Sequence, residues 1–96
     1  MIDAYLGEIK QFAYSFPPQG WTFCHGQILQ IKNFTSLFAL IGTEFGGDGI
    51  NTFALPDFRP RDKDGNILYL YIGEIYEGKP YLETSICLNG VFPSRG

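Results

Sequence analysis

The stretch Phe45-Gly46-Gly47-Asp48-Gly49-Ile50-Asn51-Thr52-Phe53-Ala54-Leu55-Pro56-Asp57-Phe58-Arg59 limits what this chain can fold into more than any other segment. Gly46, Gly47 and Gly49 fall within four positions, so the backbone there is free to take positive φ. Asp48 and Asn51 can hydrogen-bond local amides in place of a ladder. Phe45, Phe53, Leu55 and Phe58 supply the loop with apolar anchors. Pro56 stiffens the exit and pushes Leu55 towards an extended conformation. The segment reads as a long glycine-rich loop built to hold one shape, with β-rich flanks and one short helix around it.

The remaining composition suits a single small domain. A 96-residue chain buries roughly 60–70% of its unfolded surface, enough for one modest core. Nine Phe, six Tyr and one Trp make that core aromatic, and aromatics serve binding surfaces equally well. A net charge of −3 without a basic stripe argues against nucleic acid as partner. No apolar run approaches the roughly 20 residues that cross a bilayer, so no membrane insertion is expected. Met1 to Lys10 lacks a basic region followed by an apolar one, so no conventional secretion signal is expected. Cys24 and Cys87 are the only cysteines and lack zinc-site spacing. They read as free buried thiols, with a Cys24–Cys87 bridge as the alternative.

Along the chain, Tyr5 to Phe16 is strand-like, with a change of phase near Lys10-Gln11 that predicts a bulge or two short strands. Pro17-Pro18-Gln19-Gly20 is a turn. Trp21 to Ile31 reads as a hairpin turning at His25-Gly26, since His tolerates the left-handed region. Asn33-Phe34-Thr35-Ser36 is a helix start with Asn33 or Thr35 as cap, and Leu37, Phe38, Leu40 and Ile41 form its apolar face. Gly42 is its natural stop. Arg61 to Asn66 is charged and turn-rich, the best candidate for an exposed tip. Ile67 to Ile72 is a continuous apolar run that predicts a strand covered on both faces, and Glu77 to Pro80 is the next turn. From Leu82 to Leu88, Leu82, Thr84, Ile86 and Leu88 share one parity, while Glu83, Ser85, Cys87 and Asn89 share the other. The first set should face the core and the second water or a partner. The apolar return at Val91-Phe92-Pro93 predicts a docked C-terminal segment. Tyr5-Leu6-Gly7-Glu8-Ile9 and Tyr71-Ile72-Gly73-Glu74-Ile75 echo each other without establishing a repeat.

No nucleophile–base–acid set accompanies these elements. His25 is the only conventional neutral-pH base, and a turn role accounts for it without catalysis. No Lys follows the glycines as a phosphate loop requires, and no G-x-S-x-G elbow surrounds a serine. Asp48 and Asp57 can help to hold calcium or cap local backbone. Arg59 and Arg61 can clamp an anion or answer Asp57, Asp62 and Asp64. Trp21 can stack on a sugar or fill the core. A hydrolase reading would need Asp48 or Asp57 with a bound metal. The chain is expected not to be an enzyme and to need no cofactor or metal.

An ordered set of motifs carries a family resemblance. Gly7-Glu8-Ile9 and Phe12-Ala13 come first, then Pro18, Gly20-Trp21, Cys24-His25-Gly26-Gln27 and Leu37-Phe38-Ala39-Leu40-Ile41-Gly42. Phe45-Gly46-Gly47-Asp48-Gly49, Thr52-Phe53-Ala54-Leu55-Pro56-Asp57 and Arg59 follow in the same order. This resembles the phage tail collar domain, including the small stand-alone members labelled microcystin-dependent. Residues 5–61 carry most of the resemblance, and Ile86 to Arg95 is similar to the C-terminus of the small members. Pro60 stands where the family has Gly, His25 where it has Asn, and 62–80 is short where small members carry a longer glycine-rich insertion.

The expected fold is α+β: mainly antiparallel strands, one short helix packed on the sheet and the ordered glycine-rich loop. Within one domain, 1–96, residues 5–61 form the motif-bearing core, 62–80 a variable hairpin or tip, and 81–96 the C-terminal strand. The resemblance implies a non-enzymatic structural or adhesion part of a phage tail, tail fibre or tail-like particle. Its implied partners are itself, as a homotrimer, other tail or fibre proteins, and a host-surface glycan. Its implied place is the virion or an extracellular particle made in the bacterial cytoplasm. The alternative is a stand-alone glycan- or small-ligand-binding module. Candidate binding residues are Trp21, Asp48, Asp57, Arg59 and Arg61. The structural turns and caps are His25, Gly26, Gly42, Gly46, Gly47, Gly49 and Pro56.

Overall fold

The computed structural model describes residues 4–13 and 15–92. The main sheet has three strands: β1 (Ile9–Phe12), β2 (Trp21–Phe23) and β7 (Glu83–Cys87). Their order is β1-β7-β2, antiparallel throughout, with Ile9 opposite Ile86 and Trp21 opposite Cys87. A second pair joins β3 (Ile28–Gln30) to β4 (Thr52–Ala54). A third is the hairpin of β5 (Ile75–Tyr76) and β6 (Lys79–Pro80). The one α-helix among the described residues, α1, covers Thr35–Ile41. These small antiparallel sheets with a single helix make an α+β fold. The core is Leu6, Cys24, Leu37, Phe53, Leu55 and Ile86, with Phe38 edge-on to Phe53 at 5.5 Å.

The helix is short because its apolar face is short. Leu37 is its buried residue, while Phe38 and Ile41 pack at the core's edge. Gly42 ends it at φ 55°, with its N–H donating to the Phe38 carbonyl at 2.7 Å. The start differs from expectation. Phe34, not Asn33 or Thr35, occupies the cap position and makes no side-chain cap bond. A 3-10 turn over Ile31–Asn33 precedes it, so Phe34 enters the helix already packed against the core. Burial of an aromatic ring stands in for a polar cap.

The hairpin expected over Trp21 to Ile31 does not form. β2 pairs with β7 and β3 with β4, so the two segments part into different sheets. The Gln27 side chain explains the parting. Its Oε1 accepts from the His25 N–H at 3.0 Å and its Nε2 donates to the Phe23 carbonyl at 2.9 Å. The carboxamide thus fills the inside of the bend where cross-strand bonds would lie. Gly26 takes the positive φ of 76°, and His25 does not; Glu77, at φ 51°, is the one non-glycine to do so among the described residues.

Near the N-terminus the chain breaks at Leu6-Gly7 rather than at Lys10-Gln11. The Glu8 N–H donates to the Tyr5 carbonyl at 3.0 Å, and β1 then runs without a bulge. Tyr14 lies outside the described residues. The turn at Pro17 to Gly20 is present, with the Trp21 N–H donating to the Pro18 carbonyl at 3.0 Å.

The echo noted above is one corner used twice. In both copies glycine holds φ above 80°, at Gly7 and Gly73. The Tyr5 and Tyr71 N–H groups donate to the carboxylates of Glu8 and Glu74. Each corner then closes on an antiparallel partner in the same way: Gly7 and Glu8 on Cys87, Gly73 and Glu74 on Tyr81.

β7 differs from expectation in its second face. Ser85 and Cys87, expected to face water or a partner, are each 1% exposed. The chain returns over them after β7. The Leu6 N–H donates to the Val91 carbonyl and the Val91 N–H to that of Ala4, which draws Gly90 down over the Cys87 sulfur. Val91 is docked through a parallel bridge to Tyr5, while Pro93 to Arg95 lie outside the described residues.

The run Ile67 to Ile72, expected as a strand covered on both faces, is partly covered on one face and bare on the other. It pairs only where Ile67 bridges Arg61, and Tyr69 and Tyr71 are 86% and 84% exposed. An apolar run specifies extended backbone, but here only the inner face meets the rest of the fold, where the Leu68 N–H donates to the Pro60 carbonyl at 2.8 Å. The turn after it is as expected: Glu77 and Gly78 both have positive φ, the two-residue geometry that matches strand twist.

Candidate binding face around Asp57 and His25

The glycine segment and the His25 bend meet as a short ladder. The Leu55 N–H donates to the Gln27 carbonyl, the Gly26 N–H to Pro56 and the Phe58 N–H to Cys24, with His25 opposite Asp57. Pro56 lacks an N–H and offers its carbonyl alone here. Gly26 suits the crossing because its φ is 76°, where a side chain is strained; a Cβ there would meet Asp57 only at an ordinary contact distance of 3.4 Å.

Asp57 is the electrostatic centre of this face. Its Oδ1 accepts from the Arg59 N–H at 3.1 Å and from Arg59 Nε at 2.9 Å. Its Oδ2 accepts from Arg59 Nη2 at 2.7 Å and Arg61 Nη2 at 2.9 Å. The Arg59 guanidinium holds this carboxyl well below the usual carboxylate range. Arg59 Nη2 also donates to the His25 carbonyl at 3.0 Å, and Arg61 Nη1 to that of Gly65 at 2.9 Å. The two arginines are therefore clips that join the bend, the glycine segment and the 62–66 turn. With four bonds accepted, Asp57 has few lone pairs left for a cation.

Asp48 stands in a turn of its own. Its Oδ1 accepts the N–H groups of Ile50, Asn51 and Thr52 at 2.8, 2.8 and 2.9 Å. Those amides lower its pKa to about 2. Gly46, Gly47 and Gly49 have φ of 128°, 96° and 74° around it, and the Ala54 N–H donates to the Gly46 carbonyl at 3.0 Å. Trp21 is half-buried and edge-on to Phe12 at 5.0 Å. Asp57, Arg59 and Arg61 thus come together with His25, while Asp48 and Trp21 each have a separate setting.

Two further residues join this face. The His25 ring stacks on Phe23, and its buried Nε2 lies 3.7 Å from Glu83 Oε1 without a hydrogen-bond partner. The Tyr81 hydroxyl donates to the same Glu83 oxygen at 2.8 Å. Burial, then the Glu83 carboxylate, pushes the Tyr81 phenol well above its ordinary pKa. A cavity of about 140 Å³ lies between these groups and the inner side of Ile67 to Leu70. The sequence signal for the pair was the two-residue spacing of Tyr81 and Glu83, which puts both on one face of a strand.

The chemistry of this face is cohesive rather than reactive. The Cys24 thiol is buried and pushed up to about 11, so it is protonated at neutral pH. No three His, Cys, Asp or Glu among the described residues are grouped to hold a metal. The Asp57 charge is neutralised by Arg59 and Arg61, and separate segments are tied by these side-chain clips, as in a structural module. The model of the phage tail collar domain matches residues 7–63, more than half of the chain, and the chain belongs to that family. No curated protein and no solved structure matches it. The family is structural and belongs to phage tails, which places the chain with the virion. No helix among the described residues is long and apolar enough to cross a membrane.

Proposed function

We propose that this chain is a non-enzymatic subunit of a phage tail, tail fibre or tail-like particle that self-associates, as a homotrimer, and contacts other tail proteins or the host surface. One observation carries the reading: Tyr69 and Tyr71 stand 86% and 84% exposed on the outer face of an apolar segment. A domain this small does not leave such a face bare without a partner surface. Residues 5–61 are the frame in this reading and 62–80 the tip, with 81–96 closing the sheet. The three amides held by Asp48 favour an ordered glycine-rich loop that keeps the frame rigid. Likeness to the microcystin-labelled small members adds a free-standing form of the same part. Light scattering near about 10 and 100 µM tests it. Three copies, or retention by a tail lysate, uphold the reading; a monomer with no lysate partner overturns it.

The cavity beside His25, Tyr81 and Glu83 favours a second reading, a glycan- or small-ligand-binding module. Flat responses across a glycan array, with and without calcium, would remove it.

A further inference from the structure

We propose that Asn89-Gly90 is a site of spontaneous chemical modification, where water converts Asn89 to aspartate and isoaspartate with loss of ammonia. In the ring-closing step the Gly90 main-chain N loses its proton and bonds to Asn89 Cγ, and the side-chain amide leaves with that proton as ammonia. Water then opens the five-membered ring. Attack at the Cγ carbonyl restores the original main chain, with aspartate at 89. Attack at the α-carbonyl leaves the chain running through Cβ and Cγ, as isoaspartate. Asparagine is most open to this chemistry where the next residue has no Cβ in the way of ring closure. Asn89 is exposed, and among the described residues neither its carboxamide nor the Gly90 N–H has a hydrogen-bond partner.

The two Asp-Gly steps, Asp48-Gly49 and Asp64-Gly65, lack this freedom. The Gly49 N–H donates to the Thr52 carbonyl at 2.9 Å and the Gly65 N–H to the Asp62 carbonyl at 3.0 Å, so neither nitrogen is free to attack. Asn33, Asn51 and Asn66 precede Phe34, Thr52 and Ile67, whose side chains crowd the ring. At position 90 the fold itself demands glycine, since a Cβ there would stand 2.4 Å from the Ala4 carbonyl oxygen and 2.8 Å from the Cys87 sulfur. The packing that covers Cys87 therefore imposes the vulnerable sequence. Isoaspartate lengthens the main chain at this point by one C–C bond, about 1.5 Å. A Gly90 held so closely cannot absorb the extra length in place. The Val91 N–H, which donates to the Ala4 carbonyl at 2.9 Å, moves with it, and the cover over Cys87 opens.

Ageing at mildly alkaline pH, which favours loss of the Gly90 amide proton, tests both parts. Peptide mapping is expected to find conversion at Asn89 at least about tenfold faster than at Asn33, Asn51 or Asn66. The aged protein is then labelled, still folded, with a thiol reagent. Cys87 is expected to react in the isoaspartate fraction at least about tenfold faster than in fresh protein. Asn89→Asp carries the new charge without the longer chain, and its Cys87 should stay as protected as in fresh protein. Asn89→Gln should keep both its mass and a protected Cys87 through the same ageing. Asn89 left intact, or converted no faster than the other three asparagines, overturns the site. An isoaspartate fraction with Cys87 still protected, or Asn89→Asp labelled as fast as that fraction, overturns the uncovering.

Discussion

A Cβ placed on Gly47 would stand 2.3 Å from the Cα of Phe53, a core residue with no exposed surface. The loop's backbone is pressed directly onto β4. Gly47→Ala is therefore expected to cost roughly 3 kcal/mol or more, from backbone overlap plus a φ of 96°. Gly42→Ala, with open space around it, is expected to cost less, about 1–2 kcal/mol, from its backbone conformation alone. Urea unfolding of both variants checks the ranking; equal costs would show that close approach does not matter at Gly47.

Asp48 ties the turn of residues 48–52 to pH through the three amides its carboxylate accepts. Its folded pKa of about 2 lies below the ordinary 3.8, because three amides favour the charged form. A depressed value means that stability from this group is complete above the unfolded value. It is lost as pH falls through the folded one. Wild-type protein is expected to lose stability between about pH 4 and 2, and Asp48→Asn to lose less over the same range, the difference isolating this carboxylate. Paired urea titrations at three pH values measure it.

Cys24 and Cys87 are free and buried, and the Cys24 thiol is pushed up to about 11. Neither should react with a thiol reagent at about pH 8 while the domain is folded, and both should react within minutes in denaturant. Mass spectrometry of the labelled protein counts the adducts. Rapid native labelling of Cys87 would mean that the cover provided by Gly90 opens readily.

Ile86 lies at the centre of the main sheet with no exposed surface, whereas Ile75 on the outlying hairpin is 67% exposed. Ile86→Ala is expected to cost about 3 kcal/mol, and Ile75→Ala less than about 0.5 kcal/mol. Thermal melts of the two variants check this, and comparable losses would mean that the hairpin folds with the core as one unit.

Local chemistry made some of this legible in the sequence. The helix from Thr35 to its stop at Gly42, the turn at Pro17 to Gly20 and the turn at Glu77-Gly78 depend on neighbouring residues alone. The pairing of Asp57 with Arg59 and Arg61 could be read because the three lie within five positions. The separation of β2 from β3 could not, because it turns on where the Gln27 carboxamide points. Periodicity identified Ile67 to Ile72 as extended but carries no information on whether another element covers it. The parity of β7 misled for the same reason, since the cover over Cys87 comes from Gly90 after the strand. His25 and Glu83 meet only because β2 and β7 are neighbours, a fact no local pattern records.

The place of β7 between β1 and β2 bears on how the protein is made. Its central strand is translated after both of its neighbours. Until Glu83 to Cys87 have left the ribosome, Ile9 to Phe12 and Trp21 to Phe23 have no strand to pair with, and the cavity for Ile86 is empty. The sheet therefore cannot form piecemeal behind the ribosome; it closes in one late, long-range step. Subunits enter a particle as finished parts, and a chain interrupted before residue 83 presents two raw sheet edges to the cell's proteases instead of half a domain.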